Sequence, residues 1–322
     1  MEALPSEYCP FSVDDPLLQL IGNTPIVPFS GAEHGNVSCK LESRNPTGSM
    51  KDRVALGILL EESRNGEYET VVEASSGNTA GSVAFVANRL GLDCHVTLPA
   101  STSAQKKGYV RAFGAEIHEC PDVSEEHPEY YHNVADRLSE KLDAYFMNQY
   151  YNPANPEVHY EWTGPEIWSQ VGDNLTHLVC PMGTGGTLSG TARYLKESFE
   201  DCRPDITIVG VDATNSNIST AFYGSEPVEY ETTVEGLGKG HELPTMWFEY
   251  IDKIRNVEDE QAFKTARQAG REHGLLIGPS AGAALSVATT IGNTNPDAEV
   301  LSVVCDGGEQ YFDSLFVDEE QS

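Results

Sequence analysis

Short runs of β-prone residues alternate with helical stretches throughout this chain of 322 residues. The runs lie at residues 71–72, 94–98, 116–118, 178–180, 206–211 and 300–304. Neighbouring parallel strands need long crossover connections, and these connections are usually helices. The alternation therefore predicts α/β sheets with crossover helices.

The turn at residues 45–53 (NPTGSMKDR) brings one lysine, Lys51, to the start of a helix. Pro46 and Gly48 interrupt regular structure, and the following residues 54–60 are too apolar for a surface helix. The Lys51 ammonium is then expected to be partly desolvated at the positive end of a helix dipole, and both effects lower its pKa. A neutral amine can form a Schiff base. For this motif alone, a solvated lysine on an ordinary first turn is the alternative.

A second loop, at residues 71–81 (VVEASSGNTAG), joins a β-prone run to a helical stretch at residues 82–90. It gathers hydroxyl groups, one side-chain amide and free backbone N–H groups before the helix. These groups are good donors to anions, so the loop is suited to bind a carboxylate. A plain serine N-cap is the alternative for any single residue of the cluster.

A third loop, at residues 178–190 (LVCPMGTGGTLSG), again places glycines between a strand and a helix. Glycines allow the backbone to approach a phosphate, and Thr184 and Thr187 add hydroxyl donors at the helix start. The loop lacks the Gly-Lys-Ser/Thr of a P-loop and the glycine spacing of a dinucleotide site. It therefore predicts a cradle for a single phosphate group.

A fourth loop, at residues 275–284 (LLIGPSAGAA), places one hydroxyl, that of Ser280, between glycines at the start of a small-residue helix. This hydroxyl could hydrogen-bond a heterocyclic nitrogen. A serine cap on a tightly packed helix is the alternative.

Together, the four loops describe one ligand set, which is pyridoxal phosphate with an amino acid bound to it. In this order they resemble the motifs of the cysteine synthase and cystathionine β-synthase family, the fold type II pyridoxal-phosphate enzymes. The resemblance extends to residues 20–25 (LIGNTP), 152–156 (NPANP), 163–168 (TGPEIW) and 306–311 (DGGEQY). It implies a fold similar to tryptophan synthase β, with two open twisted α/β sheets flanked by helices.

The resemblance implies a role for each candidate residue. Lys51 would hold the cofactor as a Schiff base and later move the Cα proton of the substrate. Asn78 would hydrogen-bond the ring hydroxyl of the cofactor, and Ser280 would face its pyridine nitrogen. The cofactor phosphate would bind Gly183, Thr184, Gly185, Gly186 and Thr187, and the substrate carboxylate would bind Ser75, Ser76, Thr79 and Gln149.

The activity implied is β-replacement on an activated serine, O-acetylserine or O-phosphoserine, with sulfide adding to an aminoacrylate to give L-cysteine. The nearest alternative is cystathionine synthesis from serine and homocysteine, because residues 149–150 and 130–132 are similar to that branch. Residues 152–156 instead resemble cysteine synthases. A dehydratase usually has histidine where this chain has Thr79. A catalytically silent protein that binds pyridoxal phosphate and senses an amino acid is the alternative from another class.

The resemblance also implies two domains. A smaller, mobile domain is expected at residues 46–155. A larger domain, which binds the cofactor phosphate, is expected from residues 1–45 together with 156–322. Enzymes of this family are usually homodimers, so a homodimer is expected.

The glycine loop at residues 235–241 (EGLGKGH) departs from the family pattern at its end. In relatives this loop borders the mouth of the active site. Lys239 or His241 would add positive charge there and favour an anionic leaving group or an anionic sulfur donor. Surface charges on a flexible loop are the alternative.

The charge of the chain is unusual, since 50 acidic and 20 basic residues give a formal net charge of −30. Acidic groups are scattered, for example at residues 61–62, 125–126, 197–201, 252–260 and 318–320. Concentrated salt would screen their mutual repulsion, so we predict a cytoplasmic enzyme from a salt-loving organism. Nucleic acids and anionic membranes are not expected as partners, because both would be repelled.

The seven cysteines are isolated in sequence and include no Cys-x-x-Cys pair. They are Cys9, Cys39, Cys94, Cys120, Cys180, Cys202 and Cys305. Several lie in apolar, strand-like runs, which predicts buried free thiols. The nine histidines are dispersed and lack metal-ligand spacing, so no metal site is expected.

Overall fold

The computed structural model describes residues 10–197 and 206–316, which form two β-sheets with helices on their faces. Each β-prone run of the sequence overlaps with a strand of one of these sheets. The predicted α/β fold with two sheets flanked by helices is therefore confirmed.

The strands are β1 (Ile26–Pro28), β2 (Asn36–Leu41), β3 (Thr70–Ala74), β4 (Asp93–Pro99), β5 (Glu116–Cys120), β6 (Tyr145–Phe146), β7 (His177–Pro181), β8 (Thr207–Ala213), β9 (Lys253–Val257) and β10 (Glu299–Val304). The larger sheet has the order β1-β2-β10-β7-β8-β9, and its strand pairs are parallel apart from the antiparallel pair β1 and β2. The smaller sheet is parallel and has the order β5-β4-β3-β6. Central strands such as β7 and β10 are buried along nearly their whole length, which explains their continuous apolar sequences.

The α-helices are α1 (Lys51–Asn65), α2 (Asn78–Leu90), α3 (Ala104–Ala112), α4 (Tyr131–Leu142), α5 (Ala154–Val158), α6 (Gly164–Val171), α7 (Gly186–Glu197), α8 (Asn217–Tyr223), α9 (Asp259–His273), α10 (Pro279–Thr294) and α11 (Phe312–Leu315). Short 3₁₀ turns occur at Leu18–Leu20, Glu42–Arg44, Gly172–Asn174, Phe248–Tyr250 and Gly308–Tyr311, and a π-helical turn at His159–Thr163 precedes α6. Within the described part of the chain, no helix has both the length and the apolar character needed to cross a membrane.

Helix α2 begins earlier than the sequence predicts. Its first residue is Asn78, whereas the predicted helical stretch starts at residue 82. The additional turn contains Gly81, which packs against the ring of Tyr109 so closely that a Cβ would lie 2.6 Å from a ring carbon. Glycine at this position lets the first part of α2 pack against Tyr109, and the first turn carries Asn78 and Thr79.

Helix α1 is buried over residues 52–60, as its apolar sequence predicts. It packs with α2 and the smaller sheet in one hydrophobic cluster that includes Leu56, Leu59 and Val83. The strands of the smaller sheet lie between residues 70 and 146, inside the expected smaller domain. The domain boundaries at residues 46 and 155, and the mobility of this domain, stay predictions.

A cluster of four buried charges joins the start of α1 to the rest of the protein. Lys40, Glu42, Arg53 and Glu166 are fully buried. Arg53 donates to both Glu42 and Glu166 at 2.7–2.8 Å. Lys40 pairs with Glu166, which also accepts from the backbone amides of residues 23–24 at 3.0 Å. Two positive and two negative charges therefore compensate each other inside the protein.

Five cysteines of the described part are buried and free, as predicted: Cys39, Cys94, Cys120, Cys180 and Cys305. Cys9 and Cys202 lie outside the described residues, as do the acidic residues at 198–201 and 318–320.

Candidate active site

A cavity of about 580 Å³ lies at the carboxyl ends of strands from both sheets. Parallel strands end at a common edge, so the loops that follow them meet there. The lining includes the predicted residues Lys51, Ser75, Ser76, Asn78, Thr79, Gln149, Gly183, Thr184, Gly185, Thr187 and Ser280. The tertiary structure thus brings the four loops of the sequence analysis to one place.

Lys51 is the first residue of α1 and is half-buried in the wall of the cavity. The turn before it is held against the end of β10, because the amide of Met50 donates to the carbonyl of Cys305 at 2.9 Å. Burial lowers the pKa of Lys51, although the nearby Cys305 and Asp306 act in the opposite direction. This is the direction that the sequence predicts, and it increases the neutral amine that can act as a nucleophile or base.

The glycine loop at residues 183–187 forms the turn between β7 and α7. Gly185 has a φ of +81°, in the left-handed region that favours glycine. Gly186 is buried against Asn155, so closely that a Cβ would overlap the Asn155 amide, and it is the one predicted residue of this loop that does not line the cavity. Asn155 also donates to the hydroxyl of Thr184 at 3.2 Å. The loop is therefore held in a defined shape at a helix N-terminus, where anions bind.

Asp306 is a residue of this site for which the sequence analysis proposes no role. It accepts hydrogen bonds from Asn78 Nδ2 at 2.7 Å and from the hydroxyl of Tyr311 at 2.5 Å. Burial raises the pKa of Asp306 to about 6, although these two hydrogen bonds act in the opposite direction. Its position directly after β10 was the available signal, because other site residues also follow strand ends.

The predicted carboxylate-binding residues lie together on the smaller-sheet side of the cavity. Thr79 donates its hydroxyl to Oε1 of Gln149 at 2.7 Å, and both side chains are buried. The backbone amide of Gly77 donates to Ser75 Oγ at 3.2 Å, and this hydrogen bond forms a tight turn at residues 75–77. Hydroxyl and amide groups from two separate loops therefore line one wall, as binding of a carboxylate requires.

Charged residues from separate elements meet at the mouth of the cavity. Lys106, on α3, forms an ion pair with Glu235 in the glycine loop at residues 235–241. Lys239 lines the cavity with its ammonium 4.0 Å from the ring centroid of Tyr150. His241 is exposed and is not part of the lining; its ring contacts the hydroxyl of Tyr151 at 3.2 Å.

Comparison with known proteins identifies the chemistry of this cavity. A family model described as "Pyridoxal-phosphate dependent enzyme" matches residues 17–306. This chain belongs to that family. Hence the protein is a pyridoxal-phosphate dependent enzyme, and its cofactor is pyridoxal phosphate, as the sequence predicts.

Relatives place this enzyme in the branch of cysteine synthases and cystathionine β-synthases. Cysteine synthase B of Escherichia coli (strain K12) is 33% identical over 311 residues, covering 94% of this chain and 96% of the relative. Cystathionine beta-synthase of Apis mellifera is 33% identical over 313 residues, covering 94% of this chain and 61% of the relative. The crystal structure of O-ureido-L-serine synthase is similar, with a TM-score of 0.86 and 30% sequence identity. The similarity covers 97% of this chain and 98% of that structure's chain.

The residues of this pyridoxal-phosphate enzyme fit its cofactor on structural grounds. The cavity contains an amine at Lys51 and a glycine turn at a helix N-terminus, which are the two groups that an aldehyde and a phosphate require. Oδ1 of Asn78 is buried without a hydrogen-bond partner among the described residues. Such an unpaired acceptor can be satisfied by a hydroxyl group of a bound molecule.

A buried acid lies beneath the substrate side of the enzyme's cavity. Glu73, on β3, is fully buried, and neither of its carboxyl oxygens has a hydrogen-bond partner of normal geometry in the described part of the chain. Burial raises the pKa of Glu73 to about 8, although the nearby amides of Asn148 and Gln149 act in the opposite direction. At neutral pH the folded enzyme therefore keeps a proton on Glu73 that the unfolded chain releases.

Replacing Glu73 with glutamine is expected to stabilise the enzyme at pH 8 by about 1–3 kcal/mol, because the amide needs no proton to stay neutral when buried. The raised pKa means that Glu73 supports folding below its ordinary pKa of 4.5 and costs stability as pH rises to about 8. Urea unfolding at several pH values measures the free energy of unfolding of both proteins. The difference between them should grow as the pH rises from 4.5 to about 8. Glu69→Gln, at an exposed position near the start of the same strand, should show no such trend. A Glu73→Gln protein that is less stable at pH 8 would contradict the prediction.

Proposed function

We propose that this enzyme makes L-cysteine by β-replacement, in which sulfide replaces the leaving group of an activated serine such as O-acetylserine or O-phosphoserine. The observation that carries the proposal is a single cavity lined by a lysine of lowered pKa, a glycine turn at a helix N-terminus and a hydroxyl-rich carboxylate wall. The relatives named cysteine synthase, which align along nearly the whole chain, support the same activity.

The proposed cofactor-binding residues are those of the sequence analysis. Lys51 Nζ would bond covalently to the cofactor, the turn at residues 183–187 would bind its phosphate, Asn78 its ring hydroxyl and Ser280 its pyridine nitrogen. Ser280 is buried in the first turn of α10 and lines the cavity, which supports its assignment. When bound, the cofactor supplies an electron sink for negative charge at the substrate Cα.

The remaining site residues would orient the substrate and move its proton. Ser75, Ser76, Thr79 and Gln149 would hold the substrate carboxylate, so that the Cα–H bond is held toward Lys51. Holding both groups in advance removes the entropic cost of their alignment during the reaction. Lys51 Nζ, once free as a neutral amine, would accept the Cα proton, and its lowered pKa favours that neutral form.

The deciding experiment is a direct product assay of the cofactor-loaded enzyme in concentrated potassium chloride. O-acetylserine and O-phosphoserine are each supplied with sulfide, and cysteine is measured by chromatography. Cysteine formation at a rate proportional to enzyme concentration supports the proposal. No turnover of any activated serine, despite bound cofactor, would instead support a catalytically silent amino-acid sensor.

Cystathionine synthesis from serine and homocysteine is the second candidate. Tyr131 and Tyr150 both line the cavity, and the ring of His132 lies 5.2 Å from that of Tyr150. These residues carry the sequence similarity to the cystathionine branch, and the position of the two tyrosines in the cavity supports this candidate. The same assay with serine and homocysteine distinguishes the two candidates. Hydroxyurea, whose addition would give O-ureido-L-serine, is a useful third nucleophile because of the structural similarity to O-ureido-L-serine synthase.

Lys239 is expected to favour an anionic leaving group. Its ammonium lines the cavity, so Lys239→Ala should lower kcat/KM for O-phosphoserine about 10-fold relative to O-acetylserine, which corresponds to the loss of one favourable charge contact. Steady-state rates with both substrates measure the ratio. Lys239→Arg should keep the ratio, because it keeps the charge, and His241→Ala should keep it because His241 is outside the cavity. An unchanged ratio in Lys239→Ala removes this role.

The proposal extends to the setting of the enzyme. We propose a cytoplasmic homodimer adapted to concentrated salt, with residues 46–155 as a mobile domain that closes over the substrate. The net charge of −30 supports the adaptation to salt, since screening would relieve repulsion among the acidic groups.

A further inference from the structure

Three side chains with metal-binding atoms lie together at the edge of the smaller sheet. His95 is on β4, and Glu116 and His118 are on the edge strand β5. The register pairs His95 directly with Glu116, and His118 lies two residues further along β5 on the same face of the sheet. One potential ligand atom of each residue lies within 4.8 Å of the others.

The distances within this group are compatible with a shared ion. Nδ1 of His95 and Nε2 of His118 face each other at 3.0 Å. Glu116 places one oxygen 3.8 Å from Nδ1 of His95 and the other 3.6 Å from Nε2 of His118. The last two distances are too long for hydrogen bonds. Two ligands on a tetrahedral ion, each about 2.1 Å from the metal, lie roughly 3.4 Å apart. The two nitrogens are close to this separation, and each Glu116 oxygen is close to it for one of the two histidines, so one of these oxygens can be the third ligand.

We propose that His95, Glu116 and His118 bind one divalent metal ion that accepts nitrogen and oxygen ligands, such as zinc. Two imidazoles and a carboxylate are a ligand set that zinc, cobalt(II) and nickel(II) accept. Calcium and magnesium prefer oxygen ligands alone, so the two histidines select against them. Glu116 is exposed whereas both histidines are partly shielded, so a water molecule can complete the fourth position from the solvent side.

This metal site is separate from the cavity, since none of its three residues lines it. Its effect is structural: the ion connects β4 to β5 and so fixes the strand that ends the sheet. An ion that binds the folded chain in preference to the unfolded chain stabilises it by mass action. The dispersed histidines of the sequence do not reveal this group, because His95 and Glu116 are far apart in sequence and the pairing of β4 with β5 brings them together.

Cobalt(II) is the first probe, because its visible spectrum reports ligand type and geometry. The full, untagged, cofactor-loaded chain is titrated with cobalt(II) after chelator treatment, and zinc is then added in competition. We expect one ion per chain, a spectrum typical of tetrahedral nitrogen and oxygen ligation without a thiolate charge-transfer band, and displacement by zinc. At zinc concentrations about a hundred times Kd, the melting temperature should rise by roughly 4 °C.

Substitutions test whether zinc binds at this site or at other histidines of the chain. His118→Ala and Glu116→Gln should each weaken zinc binding by at least about 10-fold, since even outer partners of metal ligands contribute that much. Glu116 is exposed, so Glu116→Gln should fold normally and keep its catalytic activity. His34→Ala, at an exposed histidine elsewhere, should bind zinc as the unaltered chain does. The proposal is overturned if the unaltered chain binds no ion, if a thiolate band appears, or if Glu116→Gln and His118→Ala bind zinc as tightly as His34→Ala.

Discussion

Replacing Lys51 with alanine is expected to abolish covalent attachment of pyridoxal phosphate and to lower kcat by at least about 1000-fold. Lys51 is the lysine whose amine is partly buried at the start of α1 beside the glycine turn, and burial lowers its pKa. Lys106 and Lys239 also line the cavity, but Lys106 is paired with Glu235 and Lys239 packs over an aromatic ring. Neither is therefore placed to replace the lost amine.

Two measurements check this result independently. Borohydride reduction followed by peptide mass analysis locates the attachment site, and steady-state assays give the rate. Lys264→Ala, at an exposed lysine on α9, is the matched control and should keep both the cofactor and the rate. Cofactor attached to another lysine in the unaltered enzyme would show that the assignment of Lys51 is wrong.

Replacing Glu166 with alanine is expected to destabilise the protein by about 3–5 kcal/mol, because it leaves buried positive charge without compensation. Glu166 compensates both Lys40 and Arg53, and all three side chains are fully buried.

Glu42, in the same cluster, makes the stability depend on pH. Burial alone would raise the pKa of Glu42, but the charge and hydrogen bonds of Arg53 hold it at about 2. The stabilisation from Glu42 is therefore present above its ordinary pKa of 4.5 and is lost as pH falls toward 2.

Urea unfolding of the full chain at constant high salt measures this loss of stability. Glu157→Ala removes the partner of Arg193 in an ion pair that is partly exposed, so it should cost at most about 1 kcal/mol. Both substitutions remove a carboxylate that pairs with arginine. Glu166 is fully buried and also pairs with Lys40, whereas Arg193 is partly exposed and keeps Glu197 as a second partner. Equal stabilities of the two variants would contradict the argument.

Much of the fold could be read from local sequence. The β-prone runs at residues 71–72 and 178–180, followed by turn residues and then helices, correspond to β3 and β7 with the loops after them. Such patterns are local because strand and helix preferences depend on neighbouring side chains and on glycine or proline at the turns. The short or exposed strands β1, β6 and β9 carried no comparable signal, since they depend on pairing with strands distant in sequence.

Only part of the site could be predicted from the sequence. The loops that carry Lys51 and Thr184 have distinctive residues and resemble family motifs, so their members could be named in advance. The roles of Asp306 and Lys106 could not, because a single acid or lysine in a loop has no local feature that separates it from a surface residue. The end of β10 meets the start of α2, and α3 meets the loop at residues 235–241. These contacts give Asp306 and Lys106 their partners Asn78 and Glu235.

Local sequence patterns were sufficient to infer the α/β class, the family, the cofactor and the glycine, hydroxyl and lysine loops, because each depends on residues close together in the chain. Folding brings some of these residues into one cavity, buries certain charges together and places two histidines face to face. Burial and strand pairing produce these relations, and both depend on residues far apart in sequence. For this reason the buried cluster around Arg53 and the group around His118 became visible only in the folded chain.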